Sequence, residues 1–195
     1  ASFPASFKKT VDDNLGVHYR PSVALALAVG RHFGVLESAM KKTLAAFRGL
    51  DGRQEDIGVY GGIRFINDTT ATIPDAAIAA ITRFQKLAGK NNLLLIAGGQ
   101  DKKMDFKKVA ATIERSVNML ILLPGTATEK LKKELKKVKI KISGASSMKD
   151  AVHTAYRAAK KGDYVLLSPG AASFGLFLNE FDRGDQFTAE VKRLK

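Results

Sequence analysis

The sequence predicts an α/β fold in which helices cover both faces of a mostly parallel sheet. Short, continuous apolar runs alternate with longer stretches of helical periodicity, and glycine, proline or polar residues separate them. Continuous apolar runs are typical of strands buried on both faces, and strands that alternate with helices are usually joined by parallel crossovers. A helical segment of about 50 residues precedes this alternation.

The first 50 residues are predicted to be helical, without an obvious strand. Residues 1–17 are only weakly patterned. Pro21 stands where a helix can begin, and Gly34 is suited to end it. A second helix is predicted over Glu37–Phe47. The apolar face of the first of these helices comprises Val23, Ala26, Leu27, Gly30 and Phe33.

A β-hairpin is predicted after this helical segment. Ile57–Tyr60 and Ile63–Ile66 have the length and composition of strands, and Gly61-Gly62 between them is a typical two-residue hairpin turn. The polar segment that follows the second strand leads into a helix that Pro74 opens.

From there the alternation of strands and helices is regular. The predicted strands are Leu93–Ala97, Met119–Leu123, Lys139–Ile142 and Tyr164–Leu167. The predicted helices are Pro74–Ala88, Phe106–Arg115, Thr126–Lys137 and Met148–Lys160, with a last helical portion after Ser173. The change of pattern places a boundary near residues 50–56, and we divide the chain into residues 1–52 and 53–195.

The composition is that of a basic, globular protein. Its 195 residues include 32 Lys and Arg against 19 Asp and Glu, so the net charge is +13, which favours anionic partners. Seven lysines lie between residues 130 and 141, without arginine or aromatic residues. Nucleic-acid sites usually contain both, so we interpret this stretch as a solvated helix face and predict no nucleic-acid partner.

The sequence predicts neither a membrane span nor a metal centre. No uncharged apolar stretch approaches the ~20 residues that cross a bilayer. The absence of cysteine excludes disulfides, thiolate metal sites and cysteine nucleophiles, and is compatible with a reducing, intracellular location. Three scattered histidines do not form a metal-binding pattern.

Candidate site residues are those that follow the predicted strands, because ligands of open parallel sheets bind beyond the carboxyl ends of the strands. Lysine supplies a charge for an anion, and Ser and Thr hydroxyls complete a carboxylate or phosphate site. Gly98-Gly99 would let the backbone approach a ligand. The residues after the strands are Asn67, Asp68, Thr69, Thr70, Thr72, Gly98, Gly99, Asp101, Lys102, Gly125, Thr126, Ser168 and Ser173.

Each of these residues also has a plainer interpretation, which stays open. The plainer interpretations are a helix cap for Thr72, a loop-holding role for Asp68, a tight turn for Gly98-Gly99 and an ordinary surface position for Lys102. The sequence has no phosphate-binding GxxxxGK[ST] loop, no GxGxxG fingerprint and no GxSxG nucleophile turn. It therefore predicts a binding domain for a reaction whose phosphate chemistry takes place elsewhere.

Five blocks of this sequence, in their order and spacing, resemble the Mur ligase family over residues 53–187. The last two blocks resemble most the family members that add D-glutamate. The blocks are Phe65–Thr72, Ile96–Lys102, Leu122–Gly125, Leu166–Phe174 and Phe181–Phe187.

The resemblance implies a division of the chain into parts of a longer enzyme. Residues 53–195 resemble the C-terminal, Rossmann-like domain of the family, and residues 1–52 resemble the last helices of its central ATPase domain. The UDP-binding domain and the phosphate loop have no counterpart in this sequence. We therefore expect a C-terminal piece of a ligase.

The resemblance also implies the reaction, an ATP-dependent amide-bond formation in peptidoglycan synthesis in the cytoplasm. In the family, ATP with Mg²⁺ phosphorylates the carboxylate of UDP-N-acetylmuramoyl-L-alanine, and the amine of D-glutamate attacks the acyl phosphate. We expect this chain to hold D-glutamate, and to meet ATP and the UDP-linked substrate through the domains it lacks. Alone, it is expected to bind no cofactor and to be inactive.

The site residues implied by the resemblance fall into two groups. Those for D-glutamate are Thr72, Lys102, Ser173, Phe174 and Phe181. Those for the nucleotide are Arg53 at the phosphates and Asp68 at the ribose, with Asn67 and Thr70 as further candidates. Thr70 stands where many relatives have lysine, so a cation of the family pattern is missing here.

Two other functions are compatible with the sequence. One is a non-catalytic, Mur-ligase-like module that binds an acidic amino acid or a nucleotide. The other is a basic nucleic-acid-binding protein, which depends only on the net charge and the lysine-rich stretch. Steeply salt-dependent binding to DNA or RNA would distinguish this last function from the others.

Overall fold

A computed structural model describes residues 3–47, 49–135 and 140–194. The chain divides into two compact units after Leu50, and each unit is described separately below.

The described residues of the first unit form four helical elements around a small apolar core. They are α1 (Ala5–Asn14), a 3₁₀ turn (Val17–Tyr19), α2 (Arg20–His32) and α3 (Glu37–Ala46). Helix α1 lies in the segment that the sequence analysis left without an element. Phe7, Val11 and Leu15 are spaced four residues apart and are buried in this core, which is the helical periodicity that identifies α1 in retrospect.

Helix α2 follows the prediction at its start and departs from it at its end. Pro21 lies in its first turn, and Gly34 follows the helix with a φ of +71°. Val23 and Leu27 are buried as predicted. Phe33, which was assigned to the same apolar face, is 77% exposed because it lies beyond the last helical residue.

The second unit is a six-stranded sheet in the order β1-β2-β6-β3-β4-β5. Of these six described strands, only β1 is antiparallel to its neighbour. The strands are β1 (Glu55–Tyr60), β2 (Ile63–Asn67), β3 (Leu93–Gly98), β4 (Met119–Leu123), β5 (Lys141–Gly144) and β6 (Tyr164–Leu167). The helices are α4 (Pro74–Ala88), α5 (Lys107–Ser116), α6 (Thr126–Glu134), α7 (Met148–Ala158) and α8 (Glu180–Lys192).

Two apolar layers hold this unit together, one on each face of the sheet. Helices α4, α5 and α6 pack on one face, and α7 and α8 pack on the other. Along β3, Leu93 and Leu95 belong to the first layer and Leu94 and Ile96 to the second, because successive side chains of a strand point to opposite faces. The predicted fold class, a mostly parallel sheet with helices on both faces after a helical segment, is thereby confirmed.

The predicted hairpin is also present. Gly61 and Gly62 have φ values of +60° and +83°, which a two-residue type I′ turn requires and glycine adopts without strain. Strand β1 begins at Glu55, two residues before its predicted start, and a bulge near Gly58 interrupts its pairing with β2.

Helix α4 and strands β4 and β6 have the predicted bounds, and the other described boundaries differ from the prediction by at most three residues. Helix α7 ends at Ala158, earlier than Lys160, and β5 continues to Gly144, beyond Ile142. The predicted helix end at Lys137 and strand start at Lys139 lie outside the described residues. Within the described ranges, none of the helices is long and apolar enough to cross a membrane.

The topology brings the loops after β2, β3 and β6 to one place. Strand β6 lies between β2 and β3. The chain leaves β2 and β3 towards the face covered by α4 and α5, and leaves β6 towards the face covered by α8. Loops that diverge in this way from neighbouring strands open a crevice, and such crevices bind ligands in parallel sheets.

Candidate functional site

Backbone hydrogen bonds join the three loops at the carboxyl edge of β2, β6 and β3. The amide of Gly170, after β6, donates to the carbonyl of Ala71, after β2, at 2.8 Å. Gln100, after β3, and Ala172 exchange two bonds of 2.9 and 3.0 Å between their amides and carbonyls. The candidate residues of these loops therefore belong to one connected structure.

Thr72 and Lys102 meet directly at this edge. The Lys102 Nζ donates to the Thr72 Oγ1 at 3.2 Å. Lys102 is exposed and Thr72 is half-buried. Thr72 does not cap the following helix, because the N-cap position of α4 is Ile73. An ammonium beside a hydroxyl, both accessible to solvent, is suited to a carboxylate.

The other three residues predicted for D-glutamate lie after β6 or at the start of α8. Ser173 directly follows Ala172 and is 4% exposed. Phe174 and Phe181 are 60% and 62% exposed. With this exposure, Phe181 is not a core aromatic residue. That these three residues contact D-glutamate stays a prediction.

Asp68 is buried beneath this edge. One of its carboxylate oxygens accepts from the Ser168 hydroxyl at 2.7 Å and the other from the Gln54 amide at 3.2 Å. Burial raises the pKa of Asp68 to about 7, although these two hydrogen bonds and the nearby Arg53 and Arg83 act in the opposite direction. Both oxygens hold the protein together, so the structure assigns Asp68 a loop-holding contact, and ribose binding stays a prediction.

The raised pKa of Asp68 makes the stability of the second unit depend on pH. The pKa in the unfolded chain is about 3.9, so the folded state binds the proton more tightly. The stability that protonated Asp68 contributes to the folded unit is fully present below pH 4, and it is lost as the pH rises to about 7. In Asp68→Asn this loss is absent, so from pH 4 to 7 the wild type loses up to about 4 kcal/mol relative to the variant.

Denaturant titrations of both proteins at pH 4 to 8 measure this difference. Asp75→Asn, at an exposed position in the first turn of α4, is the matched control and keeps the wild-type profile. Parallel profiles for wild type and Asp68→Asn would contradict the burial argument.

Asn67 and Thr70, the two further candidates, make structural contacts. The amide nitrogen of Asn67 lies 3.4 Å from the carbonyl oxygen of Gly184, and its oxygen accepts from the Thr69 amide at 3.1 Å. The Thr70 hydroxyl and amide both donate to the carbonyl of Gly52, at 2.9 and 3.0 Å. Thr70 thus attaches the start of the second unit to the loop after β2.

Arg53 is the predicted nucleotide residue that remains accessible. It is exposed and lies in the turn that Thr70 and Asp68 hold through Gly52 and Gln54. Its positive charge acts against the effect of burial on the pKa of Asp68, so the guanidinium is close to the site edge. A solvent-accessible guanidinium fits a phosphate, whereas the described residues contain no cluster of three or more His, Asp or Glu that could hold a metal.

Gly98 and Gly99 are required by the packing of the protein itself, and the expectation that they let the backbone approach a ligand stays a prediction. A Cβ on Gly98 would lie 2.6 Å from the carbonyl oxygen of Leu123, and one on Gly99 would lie 2.2 Å from that of Ala172. The glycines allow neighbouring loops of the protein itself to approach. Their φ values of +106° and +134° also favour glycine.

The described part of the lysine-rich stretch is largely paired or exposed. Lys130 forms an ion pair with Asp101, which lowers the pKa of that carboxyl, and Lys132 pairs with Glu129 at 2.9 Å. These contacts agree with a solvated helix face. Lys136, Lys137 and Lys139 lie outside the described residues.

Sequence analysis gave no role to Arg183 and named Thr69 only as one of the residues after a strand, although both stand in the blocks quoted above. Thr69 is buried, and its hydroxyl donates to the carbonyl of Glu180 at 2.7 Å. Arg183 is fully buried. A signal was available: Arg183, Phe187 and Val191 recur every four residues, so Arg183 stands on the apolar face of α8.

Comparison with known families identifies the second unit. Residues 52–170 match the family described as "Mur ligase, glutamate ligase domain". The UDP-N-acetylmuramoylalanine–D-glutamate ligase of Roseiflexus sp. (strain RS-1) is 40% identical over 180 residues, 91% of this chain and 38% of that enzyme. The corresponding ligase of Caldicellulosiruptor bescii is 34% identical over 92% of this chain. The chain spans about 38% of the length of these relatives.

Solved structures share the fold at low sequence identity. The UDP-N-acetylmuramate-alanine ligase of Thermotoga maritima has a TM-score of 0.68 at 11% identity, covering 90% of this chain and 38% of the other. The MurF ligase of the same organism, in complex with ADP, has a TM-score of 0.61 at 16% identity, with coverages of 88% and 38%. Identities this low show likeness of fold alone.

Proposed function

This chain belongs to the Mur ligase family, and from that premise we propose that it supplies the D-glutamate-binding side of a ligase active site. The ligase would join D-glutamate to UDP-N-acetylmuramoyl-L-alanine in peptidoglycan synthesis. Support comes from relatives whose names state this activity. The observation that carries the proposal is the contact of Lys102 with Thr72 at the crevice formed by the loops after β2, β6 and β3.

Lys102 would provide the main attraction for a carboxylate of D-glutamate. Its ammonium is exposed and already directed at the Thr72 hydroxyl, at 3.2 Å. A carboxylate at this position would accept from both groups. Ser173, on the neighbouring loop, would donate to the other carboxylate. Two fixed carboxylates leave the amino group free and oriented, which is how positioning contributes to an amide-forming reaction.

Phe174 and Phe181 would limit the access of water. Both rings are largely exposed in this structure, so each would lose contact with water when a ligand and the rest of the enzyme cover the crevice. Removal of water strengthens the attraction between Lys102 and a carboxylate.

The reaction at the nucleotide would take place mainly on parts of the enzyme outside this chain, and this chain would contribute one residue to it. Bound ATP and Mg²⁺ would activate the carboxylate of the UDP-linked substrate as an acyl phosphate. From this chain, Arg53 fits a phosphate and would reach it from the turn at residues 51–54. The Mg²⁺ that accompanies ATP would be held outside this chain.

The proposal extends to the two parts of the chain and to its location. Residues 53–195 would form the C-terminal domain, and residues 1–52 would be the last helices of the central ATPase domain. The start of the family match at residue 52 and the division after Leu50 support this boundary. The cytoplasm would be the location, because ATP and UDP-linked precursors are the proposed co-substrates.

An activity assay tests the division of labour. The purified chain, incubated with ATP, Mg²⁺, UDP-N-acetylmuramoyl-L-alanine and D-glutamate, is expected to release no phosphate above the background without protein, because its sequence contains no phosphate loop. The ligase of Roseiflexus sp. is the positive control. Substrate-dependent release of phosphate by the chain alone would contradict the proposal.

A further inference from the structure

Arg183 is the largest fully buried side chain among the described residues. It lies in the first turns of α8 and faces the sheet edge. Its Nη2 donates to the carbonyl of Thr69 at 2.7 Å, and its Nε donates to the hydroxyl of the same residue at 3.1 Å. Its Nη1 donates to the carbonyl of Ala171 at 3.1 Å. One guanidinium thus binds the loop after β2 and the loop after β6.

This buried guanidinium forms no ion pair with the described residues of the chain. Loss of water lowers the pKa of Arg183 to about 10, and only the charge of Glu180 acts in the opposite direction. A buried cation is unfavourable unless its hydrogen bonds are satisfied. An apolar side chain would fill the same space without that penalty, so helix packing alone does not account for an arginine here.

The planar, forked guanidinium accounts for the presence of an arginine at position 183. Its five donors point in fixed directions, so the side chain holds two carbonyl groups on different loops at a set separation. The two loops also meet through the Gly170 amide and the Ala71 carbonyl, at 2.8 Å. Arg183 lies on the α8 side of this bond.

Other contacts between α8 and the loop after β2 support the same arrangement. The Thr69 hydroxyl donates to the carbonyl of Glu180 at 2.7 Å. A Cβ on Gly184 would lie 2.6 Å from the Thr69 Cγ2, so the helix and the loop are in close contact. The first turns of α8 therefore form a support for the loop that continues to Thr72.

We propose that Arg183 is a positioning residue that sets the distance between the loop carrying Thr72 and the loop carrying Ser173. Both residues belong to the proposed D-glutamate pocket, so this inference rests on the proposed function. Arg183 does not touch the ligand. It holds the two loops in the arrangement that one ligand with two carboxylates requires.

The test compares Arg183→Met with wild type by two readouts. Arg193→Met is the matched control, because Arg193 directly follows the last residue of α8, has a side chain that is 69% exposed and forms an ion pair with Glu190. Amide hydrogen exchange of Gly170 reports the junction of the loops, and β3 amides report global stability. NMR titrations with D- and L-glutamate report the pocket.

We expect Arg183→Met to accelerate exchange at Gly170 at least tenfold relative to the β3 amides. Its affinity for D-glutamate should fall at least tenfold, and its preference for D- over L-glutamate should be lost. Arg193→Met should stay within twofold of wild type in all measurements. If Arg183 only stabilised the fold, the substitution would accelerate hydrogen exchange at all amides together. The folded protein would then keep its preference for D- over L-glutamate.

Arg183→Lys keeps the test decisive if Arg183→Met does not fold. The lysine retains the charge but has no planar fork, so we expect Gly170 to exchange at least fivefold faster than in wild type. A folded variant with unchanged Gly170 exchange would overturn the proposal, and so would loosened loops with unchanged D-glutamate binding. If wild type binds no D-glutamate, the proposed function fails, while the exchange arm still decides whether Arg183 holds the loops.

Discussion

Lys102→Met is expected to weaken the binding of D-glutamate by roughly 10- to 100-fold. A hydrogen bond to a charged group contributes about 1.5–3 kcal/mol, and each 1.4 kcal/mol corresponds to about tenfold in affinity. Lys102 is exposed and its contact is a hydroxyl rather than a carboxylate, so its loss leaves no buried charge behind. The fold should therefore persist, and NMR titration measures the affinity directly.

Lys107→Met is the matched control for this prediction. Lys107 is an exposed lysine at the start of α5, five residues from Lys102, and the substitution removes the same charge from the same region. A general effect of net charge would weaken binding equally in both variants. Equal losses, or no loss in Lys102→Met, would remove Lys102 from the proposed pocket.

Gly99→Ala is expected to destabilise the second unit by about 3 kcal/mol. The positive φ of Gly99 disfavours alanine by about 1–2 kcal/mol. The new Cβ would also lie 2.2 Å from the Ala172 carbonyl, so the two hydrogen bonds between Gln100 and Ala172 would have to lengthen or break. Each such bond contributes about 1 kcal/mol.

Exchange of the slowest β3 amides measures this loss in the second unit alone. Gly89→Ala separates backbone strain from crowding, because Gly89 has a φ of +84° and no atom within 4 Å of an added Cβ. We expect about 1 kcal/mol for that control. A Gly99→Ala protein as stable as the Gly89→Ala protein would show that the loops accommodate the methyl group.

The fold of the second unit could be predicted because its determinants are local. Runs such as Leu93–Ala97 and Met119–Leu123 are too apolar for exposed strands, and Pro74 and Gly89 mark the ends of the helix between strands. Polar residues that follow parallel strands gather at one edge, which is why Thr72 and Lys102, 30 positions apart, are in contact. Helix α1 was missed because Phe7, Val11 and Leu15 stand among mostly polar residues.

The finer structure of the site depends on contacts between distant parts of the chain. Whether a polar residue after a strand faces a ligand or lies beneath the loop is decided by the path of that loop. Here α8 determines the path: Arg183 and Glu180 contact Thr69 across more than 100 positions. Asn67 also contacts Gly184 of α8. Asp68 is held by Ser168 and Gln54, and Thr70 by Gly52, and no local pattern reveals these contacts.

Titration of the isotope-labelled chain with D-glutamate, and with L-glutamate as its control, tests the central claim most directly. The proposed function predicts amide shifts confined to the loops of Thr72, Lys102 and Ser173, larger for the D enantiomer. Equal shifts for both enantiomers, spread over the lysine-rich stretch at residues 130–141, would indicate only general attraction of anions. That result would contradict a D-glutamate site on this chain.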